Sequence, residues 1–185
     1  MRFRLPEKDA SVISDNTFDP DRAASNSHFQ RDPMGQFDDI DRKLLSSLQA
    51  NDRLPLAELG KSIGVATSTL NDRLKRLMRQ GVISGFHARL SPEVLGLNLL
   101  AFVYVGWSDP KTEPAFLAEI SRMPGVLECH HVTGAWNYLM KVRVRTTRDL
   151  EAFLAAMKGI EGVQRTETVI VLSTSKETLA VDVGA

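Results

Sequence analysis

The spacing of apolar residues changes character half-way along this chain, and that change limits what the chain can fold into. Apolar side chains first recur three and four residues apart: Ile40, Leu44, Leu45 and Leu48, then Leu56, Leu59 and Ile63, then Leu70, Leu74 and Leu77. A helix turns about 100° per residue, so each set lines one helical face. From Leu99 onward, short apolar runs of strand length alternate with helical stripes. The first module is therefore all-helical and the second mixes strands with helices. A length of 185 residues holds two small domains of this kind.

Local signals place the boundaries of the helices. Asp38, Asp39 and Asp41 crowd the start of the first, where carboxylates suit the helix dipole, and Asn51-Asp52 ends it. Pro55 suits the first turn of a second, short helix, and Gly64 supplies a tight turn after it. Thr67 is the expected N-cap of the third helix, and Gly81 its left-handed end. Residues 82–90 read as an extended hairpin or wing, leading to a linker around Ser91-Pro92.

In the second half the predicted order is strand 99–107, a helix marked by Phe116, Ile120 and Met123, strand 126–132, strand 138–144, a helix carrying Leu150, Phe153, Leu154 and Met157, and strand 163–172. Thr146 or Thr147 caps the second of these helices. That order, βαββαβ, is the ferredoxin-like split unit. Met123-Pro124-Gly125-Val126 and Ile160-Glu161-Gly162-Val163 form a faint repeat at equivalent points of its two halves. Strand 99–107 is apolar on both faces, so one face lies under helices and the other calls for a partner sheet.

Residues 1–37 lack periodic apolar positions and read as a disordered extension. Met34 is a candidate start site, which would make the stretch before it dispensable; a tail that touches DNA is the alternative. The domain expectation is thus 1–37 extension, 38–90 helical module and 91–185 α/β module.

No apolar run reaches the roughly 18–20 residues of a membrane helix. The N-terminus lacks the basic-then-apolar pattern of a signal peptide. The single cysteine, Cys129, leaves no internal disulfide and fits a reducing cytoplasm. The chain has no net charge, but residues 38–90 carry nine basic against six acidic side chains and residues 91–185 carry nine against eleven. A basic module joined to a mildly acidic one is the asymmetry of a DNA-binding part with a separate effector part.

Two short helices joined by a Gly-containing turn make a helix-turn-helix, and the third helix is the reader. Opposite its Leu70, Leu74 and Leu77 stripe fall Ser68, Asp72, Lys75, Arg76 and Arg79, with Thr69 and Arg73 flanking. Thr67, Ser68, Thr69 and Asn71 are small or polar enough to enter the major groove, and Arg73, Lys75, Arg76 and Arg79 suit phosphates or guanine edges. Those four cations alone would equally describe a solvated face. It is the helix, turn and cap before them that favour the reader. Asp72 repels phosphate; it can accept from a cytosine amine or orient Arg76 four residues on.

Several spaced motifs together resemble the Lrp/AsnC (feast/famine) family. Ile40-Asp41-Arg42-Lys43-Leu44-Leu45, Leu56-Ala57-Glu58-Leu59-Gly60, Leu70-Asn71-Asp72-Arg73-Leu74-Lys75-Arg76-Leu77 and Gly81-Val82-Ile83-Ser84-Gly85-Phe86 are similar to its DNA-binding half. Val126-Leu127-Glu128-Cys129-His130, Val132-Thr133-Gly134 and Asn137-Tyr138-Leu139-Met140-Lys141 are similar to its effector half. The match runs from about residue 38 to residue 176.

The resemblance implies an α+β chain with an N-terminal winged helix-turn-helix and a C-terminal ferredoxin-like βαββαβ domain for effector binding and oligomerisation. It implies a sequence-specific transcriptional regulator with double-stranded DNA as partner. It also implies sheet-to-sheet dimers, usually assembled into octamers, and an amino acid or related metabolite held between dimers. By position, the effector residues are Val132, Thr133, Gly134, Ala135, Trp136 and Asn137 in the loop between the second and third strands, and Val169 and Ile170 on the last strand. Gly134 would let backbone amides approach a carboxylate, and Thr133 offers a hydroxyl. Many members carry aspartate, which can pair with an ammonium, where this chain has Asn137. Trp136 shapes the pocket or packs against a second subunit.

No catalytic group, metal or cofactor is expected. The chain has no nucleophile–base set, phosphate-cradling glycine loop or paired-carboxylate motif. Cys129 and His131 share a strand face while His130 points away, and two neighbouring ligands without a second pair do not make a zinc site. Two alternatives remain at this stage. A sirohaem-decarboxylase-like enzyme of the same architecture would use His130 or His131, although it has no need of a basic reader helix. An effector-independent, DNA-organising protein would keep the reader and lose the ligand.

Overall fold

The computed structural model describes residues 37–184. The expectation for residues 1–36 lies outside them. Phe37, assigned by sequence to the extension, packs against the helical core. The described chain forms two compact units, one of residues 91–174 and one of residues 37–90 together with residues 175–184.

The helical unit contains α1 (Asp39–Ala50), α2 (Leu56–Ile63) and α3 (Thr67–Arg79). Asp38 caps α1 by accepting from the Asp41 amide at 2.9 Å. Gly64, at φ +84°, closes α2 in the left-handed region, where a side chain would be strained. The N-cap of α3 is Ala66 and not Thr67, and no side chain caps this end, so Thr67 becomes the first helical residue. Its other end is as expected: Gly81 (φ +71°) donates to the Met78 carbonyl and Val82 to the Leu77 carbonyl, the paired bonds of a Schellman motif. The three stripes read from sequence converge on a core of Leu44, Leu45, Leu59, Leu70 and Leu77.

The wing segment runs on from α3 without paired strands. Residues 84–91 carry no strand, and Gly85 does not adopt a positive φ that would reverse the chain there.

The second unit contains β1 (Leu99–Trp107), a short 3-10 turn (Pro110–Thr112), α4 (Glu113–Ser121), β2 (Val126–His131), β3 (Tyr138–Val144), α5 (Thr147–Lys158) and β4 (Val163–Ile170). The four strands form one antiparallel sheet in the order β2-β3-β1-β4, the split βαβ arrangement anticipated. Thr146 caps α5 in a reciprocal box with Asp149. One sheet face, carrying Val103, Val105, Tyr138, Met140 and Val142, buries against Phe116, Ile120 and Met157 of the helices.

The two repeat segments make the same turn bond, Val126 to the Met123 carbonyl and Val163 to the Ile160 carbonyl. Their glycines differ in role. Gly162 sits at φ +93° against Trp107 and Thr112, whereas Gly125 backs onto the Arg143 carbonyl.

Candidate nucleic-acid interface and effector loop

The outer face of α3 follows from its inner one. Leu70 and Leu77 are fully buried and Leu74 packs beside them, so Thr67, Ser68, Thr69, Asp72, Lys75 and Arg79 are left exposed, with Asn71 half-buried at the margin. Exposed Met78 joins this surface and had not been singled out from sequence. Neither Asp72, Lys75 nor Arg79 makes an ion pair among the described residues.

Arg73 and Arg76 stand differently from the expectation that Arg76 lies free on the outer face or is oriented by Asp72. Both reach across to Asp41 of α1, which is only 1 % exposed. Arg73 bonds Asp41 at 2.9 Å and Asp38 at 2.7 Å, and Arg76 bonds the second oxygen of Asp41 at 2.5 Å. The Arg73 side chain is 22 % exposed and that of Arg76 41 %. The Asp38 carboxyl is held below its ordinary range, first by the Asp41 amide and then by Arg73. The same contacts, led by Asp38, raise the pKa of Arg73. A buried carboxylate needs such partners, because an uncompensated charge is costly out of water. The sequence reading had given Asp41 only a role towards the helix dipole. Its position on the apolar side of α1, next to Leu44 and Leu45, was the available signal.

The loop between β2 and β3 is held from three sides. Val132 donates to the Asn137 carbonyl at 2.8 Å, closing the loop on itself. The Asn137 amide donates to the Val105 carbonyl at 2.9 Å, and its side-chain oxygen accepts from the Trp107 amide at 2.8 Å. Asn137 thus ties the loop to the end of β1. Arg165 of β4 donates to the Ala135 carbonyl at 2.7 Å, and its guanidinium lies 4.2 Å from the centre of the Trp136 ring. Trp136 in turn meets Tyr104, with ring centres 6.0 Å apart. Thr133, Gly134 and Ala135 form the exposed tip, where Gly134 has φ +111°.

Arg165 was missed by sequence reasoning. Its signal was Gly106, which interrupts the apolar run of β1. A Cβ there would come within 2.7 Å of the Arg165 stem, and the strand register shifts at this point.

Val169 and Ile170 are not brought to the loop within one chain. They pair with Phe102 and Ala101, whereas Arg165, beside the loop, pairs with Gly106. Four residues of strand separate Val169 from Arg165, about 13 Å.

The Cys129-His130-His131 run is committed to packing and pairing. Cys129 packs on the sheet–helix core, and burial pushes its thiol up to about 11. His131 stacks on Tyr138 at 5.0 Å, and His130 lies 3.3 Å from Glu128. Among the described residues, no three His, Cys, Asp or Glu side chains gather as a metal site, and no helix is long and apolar enough to cross a membrane.

Comparison with known proteins agrees with both units. Residues 37–84 match the family profile described as winged helix-turn-helix DNA-binding, and residues 100–181 match the Lrp/AsnC ligand binding domain. The HTH-type transcriptional regulator FL11 of Pyrococcus furiosus is 38% identical over 144 residues, covering 78% of this chain and 95% of its own length. The proline dehydrogenase transcriptional activator of Rhizobium radiobacter is 34% identical over 157 residues, covering 83% and 98%. Among solved structures, a transcriptional regulator of Neisseria meningitidis in complex with L-methionine superposes with a TM-score of 0.77 at 30% identity, covering 80% of this chain and 97% of that one. AsnC of E. coli gives 0.74 at 30% identity, covering 78% and 97%. A helix-turn-helix unit with an outward polar helix, followed by a split βαβ sheet that matches the ligand-binding profile, makes this chain a transcriptional regulator of the Lrp/AsnC family.

Proposed function

We propose that the protein binds double-stranded DNA through the outer face of α3 and adjusts that binding to an amino acid or related metabolite. The observation that carries the reading is the exposed stripe of Ser68, Thr69, Asp72, Lys75 and Arg79 on a helix whose other side is locked into the core. Thr67, Ser68, Thr69 and Asn71 meet base edges and phosphates near the helix start, and Lys75 and Arg79 bind phosphates further along. Arg73 and Arg76 add positive potential while Asp38 and Asp41 hold them in place. The test is a gel-shift titration with Lys75→Ala/Arg79→Ala. Loss of two phosphate contacts per subunit lowers affinity for every sequence and flattens the log–log salt slope by about 0.9 per lost contact. Unchanged affinity and slope would remove α3 as the reader.

The effector reading rests on the loop of Val132, Thr133, Gly134, Ala135, Trp136 and Asn137. Its exposed amides and the Thr133 hydroxyl suit a carboxylate. Asn137 contributes as the residue that fixes the loop. Val169 and Ile170 complete the site from another subunit. L-methionine, bound by the Neisseria relative, is the first ligand for a thermal-shift screen, because a bound ligand stabilises the folded state by mass action. No shift with any amino acid or amino-acid catabolite would favour a DNA-organising protein without effector.

Subunits assemble through the sheet face that carries no helix among the described residues, where half-buried Phe102, Tyr104 and Leu139 lie beside Lys141 and Glu128. The activity is binding and not catalysis: His130 and His131, the residues a decarboxylase reading needs, are engaged with Glu128 and Tyr138. A regulator acting on DNA in this way works in the cytoplasm.

A further inference from the structure

We infer that residues 175–184 are a peptide clasp on α1, a second covalent connection through which the effector half holds the DNA-reading helix. After β4 the chain becomes part of the helical unit. Its backbone is recognised there at several points. The Val181 amide donates to the Gln49 side-chain oxygen at 2.7 Å, and the Gln49 side-chain nitrogen donates to the Val181 carbonyl at 3.0 Å. Two helical turns earlier, Arg42 donates to the Val183 carbonyl at 3.1 Å. Val183 packs against the leucine core of the helix-turn-helix. Arg89 donates to the Glu177 carbonyl at 3.4 Å, so both ends of the segment are held.

A side-chain amide that pairs both backbone groups of one residue recognises an extended strand, as a neighbouring strand would. The side chain that enters the core is Val183. α1 also carries Asp41, which holds Arg73 and Arg76 of α3. One chain of contacts therefore runs from the clasp through α1 to the reader. The clasp begins five residues beyond Ile170, the strand end assigned to the effector, so a shift of that end acts on α1 through a short tether. Coupling of this kind needs an element with two states, here docked and released. A few hydrogen bonds and one half-buried valine favour docking by roughly ten- to a hundredfold, weak enough to be reversible.

The coupling rests on the reading of α3 as the DNA-contacting helix, whereas the docking itself can be tested without DNA. Amide hydrogen exchange would be compared in the full chain, in Gln49→Leu and in a chain ended after Thr174. The Val181 amide is expected to be protected in the full chain and to exchange roughly tenfold faster in Gln49→Leu. In the shortened chain the α1 amides exchange roughly tenfold faster while those of β1 and β3 keep their rates. An unprotected Val181 amide in the full chain, or unchanged α1 rates on shortening, would overturn the clasp. Gln49→Cys/Val181→Cys treated with a short bismaleimide should link within one chain, and covalent dimers would assign the clasp to a second copy instead. DNA affinity at least threefold weaker in the shortened chain supports the coupling, and equal affinity overturns it. If the full chain binds no DNA, the proposed function fails while the exchange result still stands.

Discussion

Asp41 shows how one buried charge can organise an element pair. Its two oxygens take one guanidinium each from α3, and the Asp38 carboxylate takes the same Arg73 from outside. Asp41→Asn keeps the shape and removes the charge, leaving two cations facing a neutral amide. Both arginines retain some solvent access, so the cost is below that of a fully buried pair, about 2 kcal/mol. Urea denaturation followed by far-UV circular dichroism reads it as a lower midpoint for the helical unit. Asp38 adds a pH signature. Its folded pKa lies below the unfolded one, so its contribution is complete above the ordinary carboxylate range and is lost as pH falls through it, below about pH 4. Asp38→Asn should flatten that part of the stability–pH curve, and a curve of unchanged shape would separate Asp38 from acid sensitivity. None of this was legible in the sequence beyond a cluster of acids at a helix start. Period alone places Asp41 near the inner face but cannot name its partners 32 and 35 residues away.

At the scale of elements, the sequence was informative wherever the cause was local. The stripes of α1, α2 and α3, the left-handed glycines after α2 and α3, and the Thr146 cap all follow from spacing or from backbone freedom. The Thr67 cap did not form and the wing segment carries no paired strands, because each also depends on the chain around it. The two halves of the split unit give a sharper contrast. Gly125 and Gly162 are equivalent in sequence, yet only Gly162 has both a positive φ and close neighbours, with an added Cβ falling against the Thr112 hydroxyl and the Trp107 ring. Gly162→Ala is therefore expected to cost about 2–4 kcal/mol, from left-handed strain plus overpacking. Gly64→Ala has the same kind of φ and open space, and should cost only about 1–2 kcal/mol. Thermal unfolding of the two variants checks the order. Equal losses would mean that the Trp107 contact gives way freely.

At the scale of the whole molecule, the sheet has one face covered by α4 and α5 and one carrying half-buried Phe102, Tyr104 and Leu139 beside Lys141, with no helix over it among the described residues. Residues 91–97 reach this face at one end, where Arg143 bonds Glu93 at 3.2 Å and the Leu97 carbonyl at 3.3 Å. The Trp136–Tyr104–Arg165 cluster stands at the other end, so a second subunit on this face would also press on the loop between β2 and β3. This ties assembly to DNA binding in a measurable way. In the proposed dimer two α3 helices meet two half-sites, and about three phosphate contacts per helix give a log–log salt slope of about −5.4. Phe102→Asp replaces the central apolar side chain of this face by a carboxylate, and Phe102 lies outside α3. Analytical ultracentrifugation should then find monomers, and the remaining DNA binding should follow a slope of about −2.7, half the original, with weaker affinity at every salt concentration. A monomer that keeps the full slope would mean that one chain makes all the phosphate contacts. An intact dimer would move the interface elsewhere. Either result would break the link between the uncovered sheet face and the reader helix.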